Sequence, residues 1–202
     1  MSVYRQTSVI AALSSNGLGA ALTSTGASYV LTANSAADSL AHLITFKNNS
    51  ATNHSGKTIT FTGTDENGRP LTQTITGPAG SATVTTTAYF QTVTSVVPSA
   101  STGADTFDIG WTAGAVTPWF MVNLNHALPI NIGIGSTVVS GSPNYTLQYT
   151  FDNSAWFDDA TITGKTASFA GGFTLPVYAL RMKYTVAGSV NHTYIQHDKF
   201  GQ

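Results

Sequence analysis

Cysteine is absent from the 202 residues. That excludes disulfides, thiolate metal sites and thiol nucleophiles. Charge is scarce as well: Lys, Arg, Asp and Glu make up 8% of the chain, against about a quarter in soluble domains. The 8 basic and 9 acidic residues nearly cancel, giving a formal charge of −1. No basic run marks a binder of nucleic acid or of an anionic membrane. A surface so close to neutral lacks charge repulsion and tends to associate. No stretch approaches the ~18 apolar residues of a membrane helix. The run Val9 to Leu13, with Arg5 the only basic residue before it, is short for a secretory leader. Helical periodicity is missing too, and Ala33 to His42 holds at most one turn.

The residues of acid–base chemistry are few and scattered. Glu66 is the only glutamate, and it lies in a turn. Asp158-Asp159 with Asp152 upstream is the densest acidic cluster, but it lacks the spacing of an EF-hand loop. The histidines stand at 42, 54, 126, 192 and 197. His192 and His197 are five apart, which puts them on opposite faces of a strand. His42 alternates with apolar neighbours and reads as a partly buried, hydrogen-bonded histidine. No Gly-x-Ser-x-Gly elbow occurs, and Gly133-Ile-Gly135 lacks the third glycine of a dinucleotide loop. We therefore assign no catalytic residue, metal ligand or cofactor, and expect a protein that is not an enzyme.

What the chain does have is period-two alternation. From Lys57 to Thr76, Ile59 and Phe61 alternate with threonines, then Leu71 and Ile75 share one parity and Thr72, Thr74 and Thr76 the other. One set of side chains faces a core and the other faces water. Asp65-Glu66-Asn67-Gly68 supplies the turn between them. A lone hairpin is marginal in water and needs further strands over its apolar face. Candidates follow at Tyr29 to Thr32, Ser39 to Lys47, Ala82 to Thr86, Tyr89 to Val97 and Asp105 to Trp111. After a seam near Thr112 to Pro118 the pattern restarts. Strands are expected at Trp119 to Leu124, Ile130 to Ile134, Thr137 to Ser140, Tyr145 to Phe151, Ala160 to Thr163, Val177 to Tyr184 and Val190 to Gln196. Short strands at 8–12-residue spacing predict sandwiches or barrels. The expected class is all-β, with two small antiparallel β-sandwich domains and an N-terminal arm. The boundaries are 1–27 for the arm or edge strand, 28–113 for the first domain and 114–202 for the second.

The segment Gly56 to Trp111 resembles a module of tailed-bacteriophage structural proteins. The marks are the run Thr58 to Gly77 with its Gly63-Thr-Asp-Glu-Asn-Gly68 hairpin, then Tyr89-Phe-Gln-Thr-Val-Thr-Ser-Val96, then Phe107-Asp-Ile-Gly-Trp111. In the second half, Tyr145 to Asp152, Pro176 to Met182 and Gly188 to Gln196 are similar to stretches of phage virion proteins. The resemblance covers about two-thirds of the chain. It implies a virion component, a capsid decoration (cement) or head-attached protein assembled in the host cytoplasm. Its partners would be other virion proteins, the major capsid protein or neck and tail proteins, and further copies of itself. The alternative is a tail- or fibre-associated protein that binds a host glycan near Asp152 to Asp159. Tyr4, Trp119, Tyr145, Tyr149, Trp156 and Tyr194 are either such a platform or core and strand-pair aromatics. The expected partner contacts are Ser2, Val3, Tyr4 and Arg5 on the arm, which could add a strand to a neighbour's sheet, and Trp119, Phe120, Trp156 and Phe157.

Overall fold

The computed structural model describes residues 2–122 and 131–196, apart from the Ser2 side chain. Every regular element among the described residues is a β-strand. The all-β, sandwich-like class is the one that forms. The chain divides into two units, Ala11–Val116 and Met1–Ile10 with Thr117–Gln202. The first strand, β1 (Ser2–Ile10), therefore joins the C-terminal unit, and the next seven belong to the other.

Those seven are β2 (Ser14–Leu22), β3 (Ala41–Asn48), β4 (Thr58–Thr64), β5 (Pro70–Thr76), β6 (Thr83–Phe90), β7 (Thr92–Pro98) and β8 (Phe107–Val116). Two sheets form, β2-β8-β3-β6 and β5-β4-β7. The expected hairpin is β4–β5, in register from Thr58 opposite Thr76 to Thr64 opposite Pro70. Gly68 takes a positive φ of 76°, and the Asp65 carboxylate accepts from the amides of Asn67 and Arg69 at 2.9 Å each. Ile59 and Phe61 are fully buried against Val93 and Val96 of the same sheet and Ile44, Phe46, Phe107 and Ile109 of the other. Phe46 and Phe107 stack at 4.8 Å. These apolar faces meet because each strand alternates, so one parity of each sheet leaves water.

Three expectations change here. The run Tyr89 to Val97 is two strands, because the chain changes sheets at Gln91. Tyr89 and Phe90 pair with Leu43 and His42, whereas Thr92 pairs with Thr64. The glycine-containing residues after Leu13, expected within the arm, form β2 on β8. A Cβ at Gly110 of β8 would lie 1.9 Å from the Ser14 carbonyl oxygen. Glycine there records a close backbone approach, not a loop. Tyr29 to Thr32 forms no strand: it meets β7 through isolated bonds such as Tyr29 N–H to the Val96 carbonyl at 2.9 Å. Ala33 to His42 shows bends and then β3, with no helical turn.

The other unit holds β1 and β9 (Phe120–Met121), β10 (Ile132–Thr150), β11 (Phe157–Asp158), β12 (Phe169–Phe173) and β13 (Ala179–Gln196). β10 and β13 lie side by side; β11 and β12 pair with the far edge of β10, β1 and β9 with the far edge of β13. Each long strand of 19 and 18 residues was expected as separate shorter strands. The turn-like residues Ser140 to Asn144 are absorbed as register shifts between Val138 and Tyr145, which bend a strand without ending it. Gly141 there has φ +73°, and a Cβ on the opposite Gly188 would lie 2.8 Å from the Pro143 ring. The arm expected over 1–27 is split. Residues 2–10 pair along β13 of their own chain from Ser2 opposite Gln196 to Ile10 opposite Gly188, and the remainder belongs to the first unit. The seam falls after Val116, since β8 runs through the residues that read as a linker. The expected strand residues Asn123, Leu124 and Ile130, and His126 and His197, lie outside the described residues.

Candidate functional site

The outer end of β10 carries an exposed aromatic face. Tyr149 lies opposite Phe157 of β11, their rings stacked at 5.7 Å. Phe151 meets Tyr149 at 5.6 Å and Phe157 at 6.0 Å, and Phe173 closes the inner side at 5.5 Å from Tyr149. Phe151 remains 56% exposed and Phe157 47%. The intervening turn runs through Asp152-Asn153-Ser154. Asn153 takes φ 63°, and the Ser154 amide and hydroxyl donate to the Asp152 carboxylate at 2.9 and 2.7 Å. Those hydrogen bonds hold the Asp152 carboxyl below its ordinary pKa.

The opposite parity of the same strands is polar. The Arg181 guanidinium lies 4.0 Å from the centre of the Trp156 ring, a cation–π contact. Its Nε donates to Gln148 Oε1 at 2.9 Å, and Gln148 Nε2 donates to Asp158 at 2.8 Å. Lys183 donates to both Asp158 oxygens at 2.8 and 2.6 Å. Partial burial alone would raise the Asp158 carboxyl. The hydrogen bonds from Lys183 and Gln148 and the nearby positive charges outweigh it and hold the pKa down. The turn from Thr150 to Asp158 thus presents apolar rings on one side and a fixed charged network on the other.

Of the expected contact residues, Trp156 and Phe157 meet in this region. Trp119 and Phe120 do not: Trp119 packs on Tyr178 at 5.8 Å, while Phe120 is sandwiched by Tyr4 at 5.3 Å and Tyr194 at 5.6 Å. Tyr4 is half-buried, whereas Val3 and Arg5 are exposed. The backbone of Ser2 pairs with Gln196. The six aromatics weighed as one platform therefore serve different places, and Tyr145 and Tyr194 are core residues. Phe151 and Phe173 were not singled out in the sequence. The alternation Tyr145, Leu147, Tyr149, Phe151 carried the signal for the first of them.

Histidines mark three buried polar clusters. His42 Nε2 is 2.8 Å from the Asp38 carboxylate and its Nδ1 is 3.0 Å from the Thr112 carbonyl oxygen. His54 donates through Nε2 to Asp105 at 2.9 Å and its Nδ1 accepts from Lys57 at 3.1 Å. His192 Nδ1 is 2.7 Å from the Ser136 hydroxyl and Nε2 is 2.6 Å from the Tyr184 hydroxyl. A neutral imidazole satisfies both, donating from one nitrogen and accepting at the other. Burial pushes the His192 pKa down to about 4 and the Tyr184 and Tyr194 phenols up. The serine, histidine and tyrosine are each at most 3% exposed. Such a triplet holds the interior together and offers no reacting atom a way in. A depression of about 570 Å³ in the first unit is lined by residues including Tyr29, Thr32, Asn34 and Thr94. Its one titratable group, the Tyr29 hydroxyl, is bonded to Thr102 at 3.2 Å. Among the described residues no three His, Asp or Glu side chains gather as a metal site. No protein-family model, no curated protein and no solved structure matches this chain.

Proposed function

We propose that this chain is a non-enzymatic structural protein of a tailed-bacteriophage particle, a capsid decoration or head-attached protein that acts through subunit contacts. The particle assignment rests on the sequence resemblance. The contact role is carried by one observation: the Tyr149–Phe151–Phe157 face, whose two phenylalanines stay half-exposed on an otherwise charge-poor surface. Aromatic residues are enriched at the centres of protein interfaces and charged ones depleted there. A specific interface needs about 1,600 Å² in total, within reach of a surface of 9340 Å². The mechanism is mechanical, with many copies each adding a small interface energy.

The test is the molar mass by light scattering, followed by sedimentation with decorated and undecorated capsids. Saturable binding at lattice stoichiometry supports the reading. A protein that ignores capsids overturns it. A second reading, recognition of a host glycan, is favoured by the Trp156 ring braced on Arg181 beside Asp158 and Lys183. Glycan-array binding that Trp156→Ala abolishes would select it.

A further inference from the structure

The first strand is patterned the wrong way round for an edge that stays at home. Along β1 the odd positions Val3, Arg5, Thr7 and Val9 face outward and the even ones inward. Val3 is 43% exposed and Val9 60%, while Gln6 and Ser8 point into the unit. Gln6 Oε1 and the Tyr194 hydroxyl on β13 are buried without a hydrogen-bond partner among the described residues. The Ser8 hydroxyl faces the Tyr184 phenol and lowers its pKa, against the larger upward effect of burial. Buried polar atoms left unpaired weaken the docking of the strand that carries them. Tyr4 and Ile10 supply the inward apolar contacts, so the nine-residue backbone ladder with β13 does most of the holding.

A backbone ladder does not distinguish its own chain from another copy. The strand's root is pinned elsewhere: the Ala11 amide donates to Asp38 at 2.8 Å, and Trp111 Nε1 donates to the Ala12 carbonyl at 2.9 Å. The rest of its host unit begins only at Thr117. β1 thus reaches β13 as a segment donated from outside the continuous part of that unit.

We propose that β1 exchanges between copies, the strand of one molecule pairing with β13 of a second in the same antiparallel register. The partner is a second copy of this chain, and the interface is the β13 edge from Gly188 to Gln196. Exchange of an identical element is a low-cost route to oligomers, and open sheet edges accept added strands. The inference stands on the strand itself and needs no capsid.

The absence of cysteine makes the test direct. Arg5 and Thr193 are register partners, and cross-strand partners in antiparallel sheets lie within disulfide reach. Arg5→Cys and Thr193→Cys are made in separate full-length chains, mixed, incubated and oxidised. A disulfide joining positions 5 and 193 of different chains is read on a non-reducing gel and by mass spectrometry of the linked peptide. The expected yield is several-fold above that of Arg5→Cys mixed with the out-of-register Thr185→Cys, and it rises with incubation time. Equal yields from the two mixtures overturn the proposal. So does the double variant Arg5→Cys/Thr193→Cys closing only within single chains at every concentration. Capsid binding can fail while the cross-chain product forms, and the reverse, so the two readings are judged separately.

Discussion

The Nε2 of His192 lies 2.6 Å from the phenolic oxygen of Tyr184, and neither ring reaches solvent. The groups around this pair are Tyr4, Gln6 and Ser8 from β1, Ser136 and Tyr145 from β10, and Tyr194 from β13. They are phenols, hydroxyls and an amide, so a proton arriving on His192 meets no carboxylate among the described residues there. The folded pKa of about 4 lies below the ordinary 6.5, so the unfolded chain binds the extra proton first. Stability is therefore fully present above pH 6.5 and falls as pH drops from 6.5 to 4, by about 3 kcal/mol. Urea unfolding at half-unit steps from pH 4 to 7 measures it. His192→Asn should lower stability at pH 7 and flatten the slope across that window. An unchanged slope would assign the proton uptake to another group. The lowered carboxyls of Asp38 and Asp158 act lower, as pH falls through and below the ordinary carboxylate range.

Asp38 carries a second stability prediction. Its carboxylate accepts from His42 at 2.8 Å, from the Ala11 amide at 2.8 Å and from the Leu40 amide at 3.0 Å. Ala37 and Ser39 on either side sit at φ 59° and 65°, a left-handed conformation that non-glycine residues resist. The hydrogen bonds hold this strained turn in place. Asp38→Ala leaves a buried histidine and two amides short of an acceptor and should cost about 3 kcal/mol in chemical denaturation. Ala37→Gly relieves one left-handed residue and should be neutral or stabilising, by up to about 1 kcal/mol. The opposite signs of the two variants separate lost hydrogen bonds from released strain.

How much of this was legible in the residues varies with the kind of signal. Ile59, Phe61, Leu71 and Ile75 alternate cleanly, and the β4–β5 hairpin has the bounds that alternation gives. The alternation around His42 predicts a partly buried, hydrogen-bonded histidine; it is fully buried, and its Asp38 partner lies only four residues away. By contrast β2 is built from Ser14-Ser-Asn-Gly-Leu-Gly-Ala-Ala-Leu22, where small residues fit close backbones and leave no period to read. The sheet change at Gln91 was hidden because both sides of it are strand-like. The partnership of β1 with β13 joins the two ends of the chain, and no local pattern encodes such a pairing. Around the Thr150 to Asp158 turn, Phe157 of the aromatic face and Trp156 of the charged side stand out as large residues among polar ones. That Phe151 and Phe173 complete the cluster depends on register across β10.

Glycines at close backbone contacts give a third, sharply contrasted test. A Cβ on Gly63 would stand 1.9 Å from the Thr92 carbonyl oxygen, and one on Gly110 equally near the Ser14 carbonyl oxygen. Both contacts are backbone, so a strand must move. Gly63→Ala and Gly110→Ala should each cost about 2 kcal/mol or more. Gly135, in the middle of β10, has nothing within 4 Å of its Cβ position. Gly135→Ala should be neutral or gain up to about 1 kcal/mol by restricting the unfolded chain. Thermal melts of the three variants rank them, and a Gly135→Ala as costly as the others would show that the close backbone approach does not set the penalty.

The aromatic face makes the prediction that separates function from folding. Phe157 is about half exposed and lies at the end of a two-residue strand. Truncating it removes its packing on Tyr149 and Phe151, yet leaves no sealed cavity. Surface substitutions of this kind change stability by about 0.5 kcal/mol, whereas Phe61→Ala in the sandwich core should cost about 3–5 kcal/mol. If the face is a contact surface, Phe157→Ala should weaken binding to capsids about tenfold or more, the loss of a contact worth about 1.4 kcal/mol. Phe151→Ala should act in the same direction, and Lys47→Ala, far along the sequence on β3, should leave binding unchanged. Cosedimentation with capsids and denaturant melts on the same samples read both quantities. Binding lost only in step with stability would remove the face from the functional account.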